Sequence, residues 1–362
     1  MTAGEPPRVG LLTLVPFDQV DLDVWHRLRD AAAELDSPYF HPGFAAAVHA
    51  TGRDVKVVVV ADRDDRVTGL MPVHRDRSVL SPLGSPAADF QGPLLAVGSR
   101  FPVRRLLSGG VRTFEFDHLA TGVADFAPWI ESCRVSPFLD VSGGFEAYLG
   151  RASRSGRANM AQARRHLARA ERTLGPVSFR VDNPDAGVLA KLIELKRRQY
   201  AATGARDYFG RPDRVELMSR LLRTRSTEFG GILSTLCAGP HLLAAHFGIR
   251  SDRVLHWWFP VYDPAYAQLA PGWMLLRELV IAASTVGVER IDLGRGEDEY
   301  KRRAKTGETQ VFQGMVTRSM RRRAVRAGLA ALSDSPLGPP ARRLVREFRS
   351  RECRPGPHDR GS

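Results

Sequence analysis

Within the ten residues from Asp292 to Lys301, reading DLGRGEDEYK, carboxylates, a guanidinium, a phenol and an ammonium gather on a turn holding Gly294 and Gly296. Such a set can take a proton from a nucleophile and hold an anion beside it. Asp292 closes a short apolar run and can face a cleft, and Lys301 suits a phosphate or a developing oxyanion. Glu297 and Tyr300 complete the proton-handling candidates, with Asp263 upstream. Pro271, Gly272 and Trp273 open an apolar helical pattern, where free N–H groups and the helix dipole favour negative charge. Ordinary readings stand beside these: Asp263 before Pro264 is a turn former, the acids at 297–299 complement a helix start, and His246 and His256 lie in apolar runs as core residues do. We take the GRGEDEYK cluster as functional because three kinds of charged or polar group converge on one glycine turn.

Positioning them requires strands and a crossover helix. The apolar runs GILSTL, LLAAHFGI and VLHWWFP predict three consecutive strands, and Trp257 and Trp258 alternate on the last, one toward the core and one toward a cleft. A helix over 272–286, a strand over 290–293 and a closing strand over 311–316 follow. Upstream, 9–15 reads as a strand, the residues around Val24 to Ala32 and those after Pro42 as helices, and KVVVVADRDDRVTGLMPV as a hairpin. Residues 80–98, rich in Pro and Gly, read as loop, and FEFDHL as a strand. A long helix runs from Phe145 to near Gly175. Its Met160, Ala163, Leu167, Ala170 and Leu174 share one side, and Arg157, Arg164, Arg165, Arg169 and Arg172 the other, with Arg151 and Arg154 extending the positive stripe. Such a stripe fits an anion-binding face or a solvated one. After a strand at 177–181 come helices over 185–200 and 213–223. An antiparallel meander followed by a helical crossover is an α+β pattern.

The 362 residues exceed the usual single-domain size. We expect three parts: a lobe over 1–135, a second over 136–318, and a basic tail over 319–362, partly helical or without fixed structure. A net charge of +13 and a pI near 10.3, carried mostly by Arg, favour phosphate-bearing partners. Cys133, Cys237 and Cys353 are too few and too scattered for a disulfide framework or a zinc cluster, and no metal site is expected. With no apolar run long enough to span a membrane and no signal-peptide pattern in MTAGEPPRVG, the expected location is cytoplasmic.

YDP at 262–264, APG at 270–272, the helix WMLLRELVIAA and IDLGRGEDEYKRR at 291–303 resemble the CelD-like acyltransferase domain of the GNAT superfamily, related to the Fem-type transferases that use tandem GNAT folds. SPYFHPGF, DRVTGLMPV and DFQGPLL are similar to that family's degenerate N-terminal lobe, so the resemblance covers roughly residues 20–318. It implies two mixed sheets flanked by helices, and a donor lying in a wedge where two central strands diverge. Pro271, Gly272 and Trp273, with Gly294, Arg295 and Trp258, would then bind the donor. QLAPGW stands where the acetyl-CoA pattern has a glycine-rich loop.

Fem-type relatives take an aminoacyl group from tRNA, and the stripe of Arg154, Arg157, Arg164, Arg165 and Arg169 would suit that partner. The resemblance thus implies an acyltransferase with no tightly bound cofactor. Its co-substrate would be aminoacyl-tRNA or acyl-CoA, and its acceptor an amine, hydroxylamine or hydroxyl on a small or peptide-like molecule, as in antibiotic biosynthesis. Alternatives are an acyl-CoA-dependent N- or O-acetyltransferase, including one acting on polysaccharide, and a non-catalytic nucleic-acid-binding protein.

Overall fold

The computed structural model describes residues 11–319 and 321, apart from 33, 121–123, 225 and 297. Strand β1 (Leu11–Pro16) leads into α1 (Leu22–Ala31), capped by Asp21, and α2 (Pro42–His49). The β-branched run KVVVVA makes β2 (Lys56–Ala61), joined to β3 (Val67–Asp76) by a turn in which Asp62 Oδ1 accepts from the backbone of Asp64 and Arg66. Then come β4 (Val79–Pro82), β5 (Leu94–Leu95), β6 (Thr113–Ala120) and β7 (Ile130–Asp140). The stretch expected to be loop therefore carries most of β4 and all of β5. Too short to show a period, they are visible only through their pairing.

The single long helix expected from Phe145 is two, α3 (Gly144–Arg151) and α4 (Arg154–Leu174). Ala152 and Ser153 are extended, and Ser153 Oγ accepts from Gly156 N at 3.0 Å, starting a new helix with its own cap. Strand β8 (Val177–Arg180) and helices α5 (Ala186–Thr203) and α6 (Pro212–Arg223) precede the meander of β9 (Phe229–Ala238), β10 (His241–Ser251) and β11 (Val254–Tyr262). The chain closes with α7 (Pro271–Ala282), β12 (Arg290–Asp292), α8 (Glu299–Ala304) and β13 (Gly307–Thr317). The tail expected over 319–362 lies outside the described residues, except for Ser319 and Arg321.

The strands join edge to edge in one sheet, in the order β1-β2-β3-β4-β6-β13-β7-β12-β11-β10-β9-β8, with β5 beside β3. The α+β tandem arrangement holds, but the two expected sheets are continuous. The reason is a reciprocal exchange. β7 follows β6 in the chain yet borders β12, and β13 follows β12 yet borders β6, while β7 and β13 pair with each other. Either side of this central pair the sheet repeats itself in mirror order, so that β4 beside β6 corresponds to β11 beside β12. These are the two parallel pairs of strands; the other strand pairs are antiparallel. Residues 135 and 136 fall inside β7, whose first part runs along β13 and whose last three residues run along β12.

Apolar side chains close the layers. Trp25, Phe44, Leu192, Leu221 and Phe247 form a core among α1, α2, α5, α6 and the sheet, and Tyr148, Met160, Leu236, Met274 and Leu279 form another with α3, α4 and α7. A third, with Met71, Phe101, Phe114 and Phe126, lies against the first half of the sheet. Among the described residues no helix is long and apolar enough to cross a membrane.

Candidate active site

Strands β11 and β12 pair through three positions, Val254 with Arg290, Leu255 with Ile291 and His256 with Asp292, and then part. Leu293 N–H donates to Pro137 O at 2.9 Å, turning the chain after β12 toward β7, while β11 runs on to Tyr262. The result is a wedge whose apex is the His256–Asp292 pair. α7 begins beside its open end, preceded by Ala270 in a left-handed conformation and capped by no side chain. A Cβ on Gly272 would meet nothing within 4 Å. Pro271 has no N–H and Trp273 N–H donates to Ala270 O at 3.0 Å, so Gly272 supplies the open amide at this helix start.

The corresponding wedge in the first half is filled by its own chain. β4 and β6 pair at only two positions, after which Gln91 takes the vacated place: its N–H donates to His118 O at 3.0 Å, and Ala120 N–H donates to Gln91 O at 2.8 Å. This segment also pushes Asp89 across into the apex of the β11/β12 wedge. There Asp89 Oδ1 lies 2.9 Å from His118 Nε2, and Oδ2 lies 3.0 Å from His256 Nε2. His118 Nδ1 is 3.1 Å from Asp117 Oδ1, which accepts from Gln91 Nε2 at 2.7 Å. Burial disfavours the Asp89 carboxylate, yet the close His118 and His256 rings outweigh it and hold the pKa well below the usual range. Burial likewise opposes charge on His118, but Asp117 and Asp89 prevail and raise its pKa. His256 is completely buried, and its contact with Asp89 is of ion-pair length rather than an aligned hydrogen bond; Nδ1 has no partner among the described residues. A buried polar atom left so costs on the order of 1–3 kcal/mol, a cost that a ligand contact would remove.

The residues singled out in the sequence converge here, mostly as the frame that holds Asp89. Gly294, at φ 72°, is the position where a Cβ would overlap Asp89 Oδ2, so only glycine admits the carboxylate. Arg295 donates to Asp117 O at 2.7 Å. Lys301, 8% exposed, donates to Gly294 O at 3.3 Å and Arg295 O at 3.0 Å, pinning the turn. Tyr300 is half-buried, and burial with the nearby charges of Asp298 and Asp89 raises its pKa. Asp292 is buried and paired with Arg290, whose Nε lies 3.0 Å from Oδ1 and whose Nη1 also reaches Asp36 at 2.8 Å. Burial works against the Arg290 charge, and the two carboxylates reverse that effect. Engaged in this way, Asp292 does not face an open cleft as expected. Asp263 accepts from Ala265 N–H at 3.0 Å in the turn before α7. Glu297 lies outside the described residues.

Trp257 and Trp258 do point to opposite faces of the sheet, but both are buried, and the cleft position expected for one is absent. Trp258 donates its indole N–H to Ala87 O at 2.8 Å, fixing the Asp89 segment from below. His246 stacks on Trp257 with ring centroids 4.0 Å apart, and burial keeps it neutral, in keeping with a core role. Sequence reading missed Asp89, His118 and Lys196. DFQGPLL contains Asp89, but nothing in a Pro- and Gly-rich stretch announces a reach into the other half. Lys196, on α5, donates to Pro260 O on the free part of β11 at 2.9 Å and has no carboxylate partner among the described residues. Burial, then the charge of Lys301, lowers its pKa to about 8.

α4 lies against α7 and the turn Pro264–Leu269, with His166 Nδ1 at Leu269 O. Its outer face exposes Arg154, Arg157, Arg164, Arg165, Arg169 and Arg172, none in an ion pair among the described residues. The anion stripe thus borders the start of α7.

Residues 154–302 match the family of the GNAT acetyltransferase domain, a span that holds the wedge, α7 and the arginine face. Residues 154–302 are thus an acyltransferase domain of the GNAT type, and the chain as a whole has the tandem fold of the Fem type. FemX is similar over 78% of this chain and 92% of its own, at 8% identity and a TM-score of 0.53. L-PGS from Bacillus licheniformis is similar over 89% and 98%, at 11% identity and 0.52. A tandem GNAT protein from the clavulanic acid biosynthesis pathway is similar over 85% and 98%, at 12% identity and 0.50. At these identities the likeness is one of fold. No curated protein sequence matches the chain.

Proposed function

We propose that the chain moves an aminoacyl group from aminoacyl-tRNA onto the amine, hydroxylamine or hydroxyl of a small-molecule or peptide-like acceptor, in a natural-product pathway. The observation that carries this reading is the row of six exposed arginines on α4 beside the start of α7, none in an ion pair among the described residues. Several phosphate contacts together give strong, salt-dependent binding, which a small thioester donor does not need. QLAPGW supports the same donor, because a single open helix start suits one terminal phosphate better than a pyrophosphate. The tRNA 3′ end would lie along the free edge of β11, with Lys196 and Lys301 near its phosphate.

Chemically, the acceptor gives up a proton and attacks the acyl carbon, and the oxyanion is held by backbone N–H groups and positive charge before the ester C–O bond breaks. Acyl-CoA is the second reading, favoured by the acetyltransferase character of the matching domain. Purified protein with charged tRNA and a panel of amines should release deacylated tRNA, and ribonuclease treatment should abolish product. Product formed from acyl-CoA, indifferent to ribonuclease, would replace the first reading with the second.

A further inference from the structure

We propose that His256 is the general base of the transfer and Asp89 its positioning residue, the acceptor amine reaching His256 Nδ1 at the apex of the wedge. The proposal rests on the acyl-transfer reading but on neither donor in particular. His256 is the last paired residue of β11 before the wedge opens, so its ring stands where an acyl carbonyl held by the free strand edge would end. Nε2 faces Asp89 Oδ2 at 3.0 Å. A lone pair so close to a carboxylate would be repelled, so the proton sits on Nε2 and leaves Nδ1 as the acceptor. This is the arrangement of a base aligned by a carboxylate. Nδ1 is buried and has no partner among the described residues.

The ring is held edge-on by Tyr39 at 5.0 Å and by Phe90 at 6.4 Å between centroids. Both side chains also line a small cavity of about 20 Å³ with Phe40, Met71 and Gln91, room for about one water. His118 and Asp117 hold Asp89 from behind, and Gly294 leaves room for it. The other titratable groups facing His256 are Asp292 on β12 and His246 on β10.

In the step, the amine nitrogen forms a bond to the acyl carbon and passes its proton to Nδ1. The intermediate collapses with cleavage of the C–O bond of the tRNA ester, or the C–S bond of a thioester, and Nδ1 returns the proton to the departing oxygen or sulfur. The amide and the free alcohol or thiol account for every atom.

The test measures kcat, KM and donor Kd between pH 5 and 9 for wild type, His256→Gln and Asp89→Asn, with the histidines followed by NMR. We expect H256Q to lose ~10²- to 10⁴-fold in kcat while donor Kd changes less than about twofold. D89N should lose less and shift the acid limb of the pH profile. In wild type that limb should coincide with the titration of His256. A folded H256Q with kcat within about threefold of wild type overturns the proposal, as does a loss explained by weaker donor binding. Should H256Q fail to melt cooperatively, the wild-type profile decides: an acid limb more than about one pH unit from the His256 titration overturns it. A wild type inactive with both aminoacyl-tRNA and acyl-CoA overturns the transferase reading instead.

Discussion

Asp89 is one residue on which two distant parts of the chain depend. Its carboxylate stays ionised in a half-buried place because His118 and His256 surround it, and Gly294 leaves it space. Replacing Gly294 by alanine should force the carboxylate out and strain a backbone held at φ 72°. We expect a loss of about 1–3 kcal/mol in a urea titration, together with loss of transfer. The same cluster sets a pH window. The His118 pKa is raised in the folded protein, so its contribution is complete below the ordinary histidine value of 6.5 and is lost as pH rises through the folded value. The Asp89 and Asp117 pKa values are lowered, so their contributions are present above the ordinary 3.8 and are lost as pH falls through the folded values. Melting temperature should therefore be highest between those limits, and His118→Gln should flatten the alkaline decline. An H118Q melting profile parallel to wild type on that side would contradict this account.

At the scale of elements, α4 joins packing and recognition. Met160, Ala163 and Ala170 bury one side, which leaves the arginines outward and, among the described residues, in no ion pair. Charge reversal of Arg164, Arg165 and Arg169 should weaken tRNA binding and lower the slope of log K against log salt by roughly 0.7–0.9 for each phosphate no longer neutralised, with little change in melting. Filter binding at several salt concentrations measures both. The arginine stripe was legible because helical period and charge are local. So were the hairpin, the meander and the turn at 294–301, where β-branched runs and glycines declare themselves. The break at Ala152 and Ser153 was hidden, since the apolar period passes through it and only the Ser153 cap marks it. The Asp89 contacts were invisible for a different reason: a loop has no period, and its partners His256 and Gly294 are far away in sequence. His256 itself was seen, but an apolar strand gives no sign of where its neighbour departs.

Across the whole molecule, the exchange of β7 and β13 makes the two halves one folding unit. Each half draws a strand of its sheet from the other, and the seam between Asp89 and Gly294 is buried behind them. Calorimetry should show a single transition, with van't Hoff and calorimetric enthalpies close to each other. Two resolved peaks would mean that the halves melt separately. A chain ending before Gly307 lacks the strand between β6 and β7, and should yield no cooperative melt at all.

The place of β13 also sets a timetable for synthesis. β6 is complete at Ala120, but its neighbour is not made until Thr317, and translation at about 5–20 residues per second puts roughly 10–40 seconds between them. Until then the nascent first half carries two bare strand edges and an unsealed aromatic core. Its assembly must wait for nearly the last strand off the ribosome, so slowed elongation or premature termination would release a species primed to aggregate.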